Sequence, residues 1–258
     1  MAVPTGKVVF VTSVKGGSGK TTVVLNLAGM FQKMNKKVLI LDFDFYTGAI
    51  AASLNIDNTI DLFTLVDDLN NNRFESFEHY TAAYTNWIDI IPAPKDPRTA
   101  NKINSKYLHI IIGKAKLKYD VILIDSHSVL NDVNLVTMDE ADQILYLVTN
   151  DPISLKNMRT MVSIYRDMER NNYKIILNES TQKGNHHFTA YDMKHIITDN
   201  IDFTLPSSLY TKSMVRSVMD GKILTLDKRY SKKHKRGLEH YQKIANAIVK
   251  GKKEKQVE

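Results

Sequence analysis

Apolar residues fall in short unbroken runs at six places: KVVFVTSV (7–14), KVLILDFD (37–44), WIDIIPAP (87–94), YDVILIDS (119–126), QILYLVTN (143–150) and YKIILNES (173–180). A strand covered on one face alternates apolar and polar residues, whereas a strand covered on both faces does not. The runs therefore predict parallel strands with helices above and below. Between most of them the period changes to that of a helix, as at Leu155, Met158, Met161, Val162 and Tyr165, with polar residues opposite. Strand, helix, strand in repeated order gives the fold class: α/β, a doubly wound, mostly parallel sheet flanked by helices. Ligands of such sheets gather beyond the carboxyl ends of the strands, so polar residues that end an apolar run are the candidates for chemistry. Lys15, Asp42, Asp44, Asp125 and Asn178 all follow apolar runs.

The first run leads into KGGSGKTT, and then into VVLNLAGMFQK, with helical spacing through Val24, Leu27, Ala28 and Phe31. A strand, a glycine-rich turn and a helix start are the context of a phosphate-binding loop. Gly16, Gly17 and Gly19 let backbone N–H groups converge on phosphate oxygens, and the following helix presents its positive end. Lys20 would neutralise the β- and γ-phosphates, and the Thr21 hydroxyl would bind Mg2+. Two features depart from the G-x-x-x-x-G-K-[ST] pattern: Val14 stands at the first glycine position, and a second lysine, Lys15, precedes Lys20 by five residues.

With these residues the stretch resembles the ParA/MinD superfamily of ATPases, whose deviant Walker A motif reads KGGxGK[ST]. The resemblance implies a P-loop NTPase fold, ATP and Mg2+ as cofactors, and slow, partner-stimulated ATP hydrolysis. It implies that Lys15 reaches across a dimer interface to the partner's nucleotide, where a mobile cation stabilises charge on the leaving phosphate. KVLILDFDFYTGA resembles the family's switch I region, which makes Asp44 the residue that orients the attacking water and Asp42 a support for the Mg2+ shell. YDVILIDSHS resembles Walker B, with Asp125 holding the ion through water. YKIILNES resembles the strand whose terminal asparagine, here Asn178, reads the adenine edge. The implied site is thus catalytic Lys15, Lys20 and Asp44; nucleotide-binding Lys15, Gly16, Gly17, Ser18, Gly19, Lys20, Thr21, Thr22 and Asn178; and metal-binding Thr21, Asp42 and Asp125. Phe45-Tyr46 stands where the family has Pro-Gln, and Ser126-His127-Ser128 where it often has a proline, which leaves a nucleotide-binding scaffold with little hydrolysis as an alternative.

DIIPAPKDPRTANKI, ADQILYLVTNDPISLKNMRTMV and SLYTKSMVRSVMDGKILT, the last after a short FTLP strand, resemble the CpaE/TadZ pilus-assembly branch. That branch implies an ATP-driven dimerisation switch for polar localisation of a pilus or secretion machine. Its members usually carry a receiver-like domain before the ATPase, whereas this chain starts directly at its first strand, as a lone ATPase domain or a shorter relative would. The 6 prolines and 11 glycines are scattered, so no linker divides the chain, and residues 1–250 read as one ATPase domain before a basic tail, 251–258.

Charge adds a second surface. Of the net +7, residues 228–258 carry 11 Lys/Arg against 3 Asp/Glu, which leaves the remainder close to neutral. KRYSKKHKRGLEHYQKIANAIV resembles the end of ParA partition ATPases, which implies that Lys228, Arg229, Lys232, Lys233, Lys235 and Arg236 hold DNA non-specifically. The stripe Leu238, Tyr241, Ile244, Ala245 and Ile248 should dock that segment on the core. The tail VKGKKEKQVE lacks the bulky apolar residues of MinD membrane helices, so electrostatic contact with anionic lipid stays open while deep insertion does not. The partners implied are a second copy in the ATP state, an activating or cargo protein, and DNA or an anionic membrane.

With no cysteine in the chain, disulfides, thiolate zinc sites and cysteine-ligated iron–sulfur clusters are excluded. The start is too short in apolar residues for a signal peptide and no run could span a bilayer, so the expected location is cytoplasmic, with polar, nucleoid or membrane association in the ATP state. DEAD at Asp139–Asp142 precedes a strand and reads as a solvated helix end, and adjacent His186 and His187 have no partner at metal-ligand spacing. His127 reads as a turn residue.

Overall fold

The computed structural model describes residues 6–57, 60–180, 187–209 and 211–250. One sheet is built from β1 (Lys7–Ser13), β2 (Val38–Phe43), β3 (Ala82–Ala83), β4 (Ile88–Ile91), β5 (Val121–Ser126), β6 (Gln143–Val148), β7 (Tyr173–Asn178) and β8 (Phe203–Leu205). The strand order is β3-β4-β2-β5-β1-β6-β7-β8, and every pair except β3 with β4 is parallel. Each of the six apolar runs contains a strand, and FTLP supplies β8. The sequence pattern does not mark β3, because two alanines carry no period; their pairing with Ile90 and Asp89 comes from the hairpin.

The helices are α1 (Lys20–Lys33), α2 (Ile50–Ser53), α3 (Leu62–Asn70), α4 (Leu108–Lys116), α5 (Asp132–Glu140), α6 (Pro152–Asp167), α7 (Ala190–Ile197), α8 (Lys212–Met219), α9 (Lys228–Lys233) and α10 (Lys235–Lys250). Successive strand side chains point to opposite faces, so Val8 and Phe10 enter one core and Val9 and Val11 the other. The first core is closed by α3 to α7, through residues such as Leu65, Ile111, Met158 and Ile197. The second is closed by α1, α2, α9 and α10. The stripe Leu238, Tyr241, Ile244, Ala245 and Ile248 is buried there, as its spacing requires.

At Gly29, inside α1, an added Cβ would lie 2.2 Å from Thr225 Oγ1 and 2.8 Å from Ile223 Cγ2. The missing side chain lets residues 223–226 lie directly on the helix. There Thr225 donates from its backbone N to Asn26 Oδ1 (3.1 Å) and from its hydroxyl to Asn26 O (3.0 Å). Of the DEAD stretch, Asp139 pairs with Arg170 near the end of α5, and Asp142 accepts a 2.7 Å bond from Val8 N. Asp142 is thus a brace between β1 and the start of β6 and not only a solvated end. Among the described residues no helix is long and apolar enough to cross a membrane, and no group of three His, Asp or Glu could hold a metal. His186 and the tail 251–258 lie outside the described residues.

Candidate nucleotide site

The central strand β1 ends at Ser13, and the chain turns through residues 14–19 into α1. Gly17 (φ 73°) and Gly19 (φ 87°) take left-handed conformations that penalise any Cβ. A Cβ at Gly16 or Gly17 would meet nothing within 4 Å, so the loop faces open space. Gly19 is the N-cap of α1 with no side-chain cap, and the first turn holds no acidic residue. The N–H groups and positive end of the helix are therefore left for an anion. Ser18 is fully buried, and its Oγ has no partner among the described residues. Lys20 Nζ donates to Ser13 Oγ (3.3 Å), and the Ser13 hydroxyl donates to Lys15 O (2.7 Å). A cavity of about 370 Å³ opens against this turn, lined by Gly17, Gly19, Thr21 and Thr22, by Asn178 and Ser180 beyond β7, and by apolar residues of α8.

Beside the loop lies a buried carboxylate corner. The Thr21 hydroxyl donates to Asp125 Oδ2 (2.6 Å), while Asp125 Oδ1 has no partner among the described residues although the residue is 1% exposed. Asp42 sits opposite it in the β2–β5 register. Burial pushes the Asp125 carboxyl up to about 6, against the pull of the Thr21 hydroxyl and the Lys20 charge. Asp42 lies well above the ordinary carboxylate range, through burial first and the charge of Asp125 second. A hydroxyl and an orphaned buried carboxylate oxygen next to a phosphate-binding turn form an oxygen donor set that fits Mg2+, and a divalent cation would offset the desolvation that raises Asp125.

Asp42 itself is turned elsewhere. Its oxygens accept from Asp44 N (3.2 Å) and Ile50 N (3.1 Å), so it folds the loop that carries Asp44. Asp44 is half-buried and accepts from Thr47 N (3.3 Å). Phe45, at the family's proline position, is buried edge-on against Phe43 with ring centroids 5.8 Å apart. Tyr46 is exposed and bonds Asn101 Oδ1 (2.6 Å). A packed aromatic and a hydroxyl tether thus hold this loop in place of a Pro-Gln pair.

Asn178 lines the cavity, but its amide is engaged. Its Nδ2 donates to Ser18 O (2.8 Å), and its Oδ1 accepts from the backbone N (3.1 Å) and hydroxyl (2.6 Å) of Ser180. In this structure it clamps the apex of the phosphate loop, a contact that the adenine-reading expectation did not include. Lys15 does not extend outward: its Nζ lies 2.6 Å from Asp151 Oδ2 of the same chain. Burial works against the Asp151 charge, yet hydrogen bonds from Lys15 and Thr149 hold its carboxyl below the ordinary range. His127 closes a turn, its Nδ1 accepting from Val129 N (3.1 Å).

The family model for the AAA domain (AAA_31) matches residues 6–177. The chain belongs to this family, within the ParA/MinD superfamily of P-loop ATPases. The septum site-determining protein MinD of Helicobacter pylori is 30% identical over 157 residues, a match covering 61% of this chain and 58% of that protein. Two solved structures share the fold over 95% of this chain, each with a TM-score of 0.76. One is a ParA family ATPase from Chlorobium tepidum, at 20% identity and covering 97% of that chain. The other is MinD from Pyrococcus horikoshii complexed with Mg-ADP, at 21% identity and covering 96% of that chain.

Within this ParA/MinD-type site, Lys15 to Thr22, Asp42, Asp44, Asp125 and Asn178 cluster at the carboxyl ends of β1, β2, β5 and β7. The six basic residues of α9 and α10 do not join them. All six are exposed, with no ion pair among the described residues. Sequence reasoning missed Asp151, Ser13, Ser180 and the Asn26–Thr225 tie. Asp151-Pro152 after β6 is legible as a helix start, since Asp caps and Pro opens a helix, but nothing local to it points to Lys15.

Proposed function

We propose that this chain is a Mg2+-dependent ATPase that works as an ATP-driven dimerisation switch, with position rather than product as its output. The carrying observation is the convergence on one left-handed glycine turn of two lysines, the half-buried Asp44 and the buried Thr21–Asp125 corner. Lys20 and the turn's N–H groups hold the phosphates, Asp44 orients the attacking water, and Lys15 serves the partner's ligand. Thr21 and Asp125 would hold Mg2+, which when bound neutralises charge on the β- and γ-phosphates. Exposed Val129, Leu130 and Ile153, on segments flanking the loop, suit a face covered by a second copy. By its resemblance to the CpaE/TadZ branch, the cargo is a polar pilus or secretion machine.

The six exposed cations on α9 and α10 favour a second reading, a partition ATPase that binds DNA non-specifically. A third, a scaffold with little hydrolysis, separates from both by measured ATP turnover. The test of the main reading is size-exclusion chromatography with light scattering in ATP and Mg2+. Asp44→Ala should give a stable dimer, and Lys20→Ala should bind no nucleotide and remain monomeric. An Asp44→Ala protein that binds ATP yet stays monomeric overturns the switch.

A further inference from the structure

We infer that Asp151 is a latch that holds Lys15 within its own protomer and so sets the threshold for ATP-driven pairing. The inference rests on the dimer-switch reading above, but its geometry is independent of it. Asp151 Oδ2 takes Lys15 Nζ at 2.6 Å and Thr149 Oγ1 at 2.6 Å, while Oδ1 takes Ser154 N at 3.0 Å as the N-cap of α6. The carboxylate is therefore anchored to the start of a 16-residue helix before Lys15 is counted. Thr149 and Ser154 already satisfy it, and what the ion pair adds is restraint of the lysine. The two side chains are 30% and 22% exposed, so the pair is more sheltered than a surface bridge.

A second tether lies further along the same helix, where Asn157 Nδ2 donates to Val14 O (3.3 Å). Thus α6 holds both the main chain that enters the loop and the side chain at its mouth. A lysine docked in this way cannot also extend to a ligand bound by another subunit. Pairing must open the latch first, and in a two-fold symmetric dimer it must open two.

The competent fraction of each protomer then enters the dimer dissociation constant twice. A charge-assisted hydrogen bond at this exposure, discounted for solvent, holds the closed form by about tenfold. Releasing both latches should therefore tighten dimerisation by about a hundredfold.

The test uses Asp151→Asn, since asparagine caps a helix as well as aspartate: its Oδ1 still accepts from Ser154 N and its amide N–H can donate to the Thr149 hydroxyl, while the charge is removed. Asp151→Ser, a second uncharged capping residue, guards against an effect peculiar to the amide. Both are made in the Asp44→Ala background and followed by sedimentation velocity in ATP and Mg2+ over a protein dilution series. Each should dimerise at about hundredfold lower concentration than Asp44→Ala alone, with unchanged ATP affinity of the monomer. When Lys15→Gln is added, the Asp151 changes should have no further effect, because the latch acts only through that lysine. Unchanged or weaker pairing in the Asp151 variants overturns the latch and leaves the switch standing. An ATP-bound Asp44→Ala parent that never pairs removes the switch, and the latch with it.

Discussion

Asp125→Asn probes the electrostatic cost of burying this carboxylate. At neutral pH the protein buries a carboxylate that is 1% exposed, has one oxygen without a partner and faces Asp42 across the β2–β5 register. A folded-state value of about 6 against the ordinary 3.8 corresponds to about 3 kcal/mol of destabilisation once the group is ionised in both states. The sign is set by the proton. The folded protein holds its proton more tightly than the unfolded chain, so the penalty is absent below about pH 4, grows as pH rises through about 6 and is constant above. Asparagine keeps an acceptor for the Thr21 hydroxyl and carries no charge, but leaves an amide N–H at the Oδ1 position, which costs about 1–2 kcal/mol if unpaired.

The ligand-free variant should therefore be more stable than the parent at pH 7 by about 1–2 kcal/mol, or about 3–6 °C in Tm for a chain of this size. The gain should open between pH 4 and 6. Urea unfolding of both proteins from pH 4 to 8, without nucleotide or metal, measures it. The same change should remove most of the response to Mg-ATP, which at a hundredfold excess over its dissociation constant stabilises a competent protein by about 2.7 kcal/mol. A variant less stable than the parent at neutral pH, or equally stabilised by Mg-ATP, would refute the assignment of Asp125 as a metal-site carboxylate held ready at the expense of stability.

Gly29→Ala should lower stability by about 1–3 kcal/mol despite the better helix propensity of alanine, because the new methyl overlaps Thr225 and lifts residues 223–226 off α1. ATP affinity should fall with it, since Ile223 and Leu224 line the nucleotide cavity, and a variant as stable as the parent in urea would refute the close approach. Neutralising the exposed Lys232, Lys233, Lys235 and Arg236 together should abolish retention of duplex DNA by the ATP-loaded protein at low salt while moving stability by less than about 0.5 kcal/mol. Unchanged retention in a filter-binding assay would assign DNA, if bound at all, to another face.

The parts of this molecule legible in the sequence are those decided by a few neighbouring residues. A strand buried on both faces must be apolar throughout, and the glycine turn needs its left-handed positions within a single octapeptide, so both sheet and phosphate loop can be read locally. What could not be read are tasks allotted by contacts between distant segments. Lys15 and Asp151 are 136 residues apart, Ser18 and Asn178 160, and Asn26 and Thr225 199. The amide of Asn178 suits a base edge or a peptide carbonyl equally well, and the fold brings to it the carbonyl of Ser18. Likewise the bonds by which Asp42 caps its own loop exist only because the chain returns to it at Ile50. The loop's chemistry therefore resides in its own motif, whereas its mechanical state is set by β7 and α6, which hold the loop itself, and by the 223–226 segment pressed against α1. On the proposed switch reading, substitutions at the start of α6 or beneath α1 should alter how readily ATP drives pairing while every residue of KGGSGKTT stays unchanged.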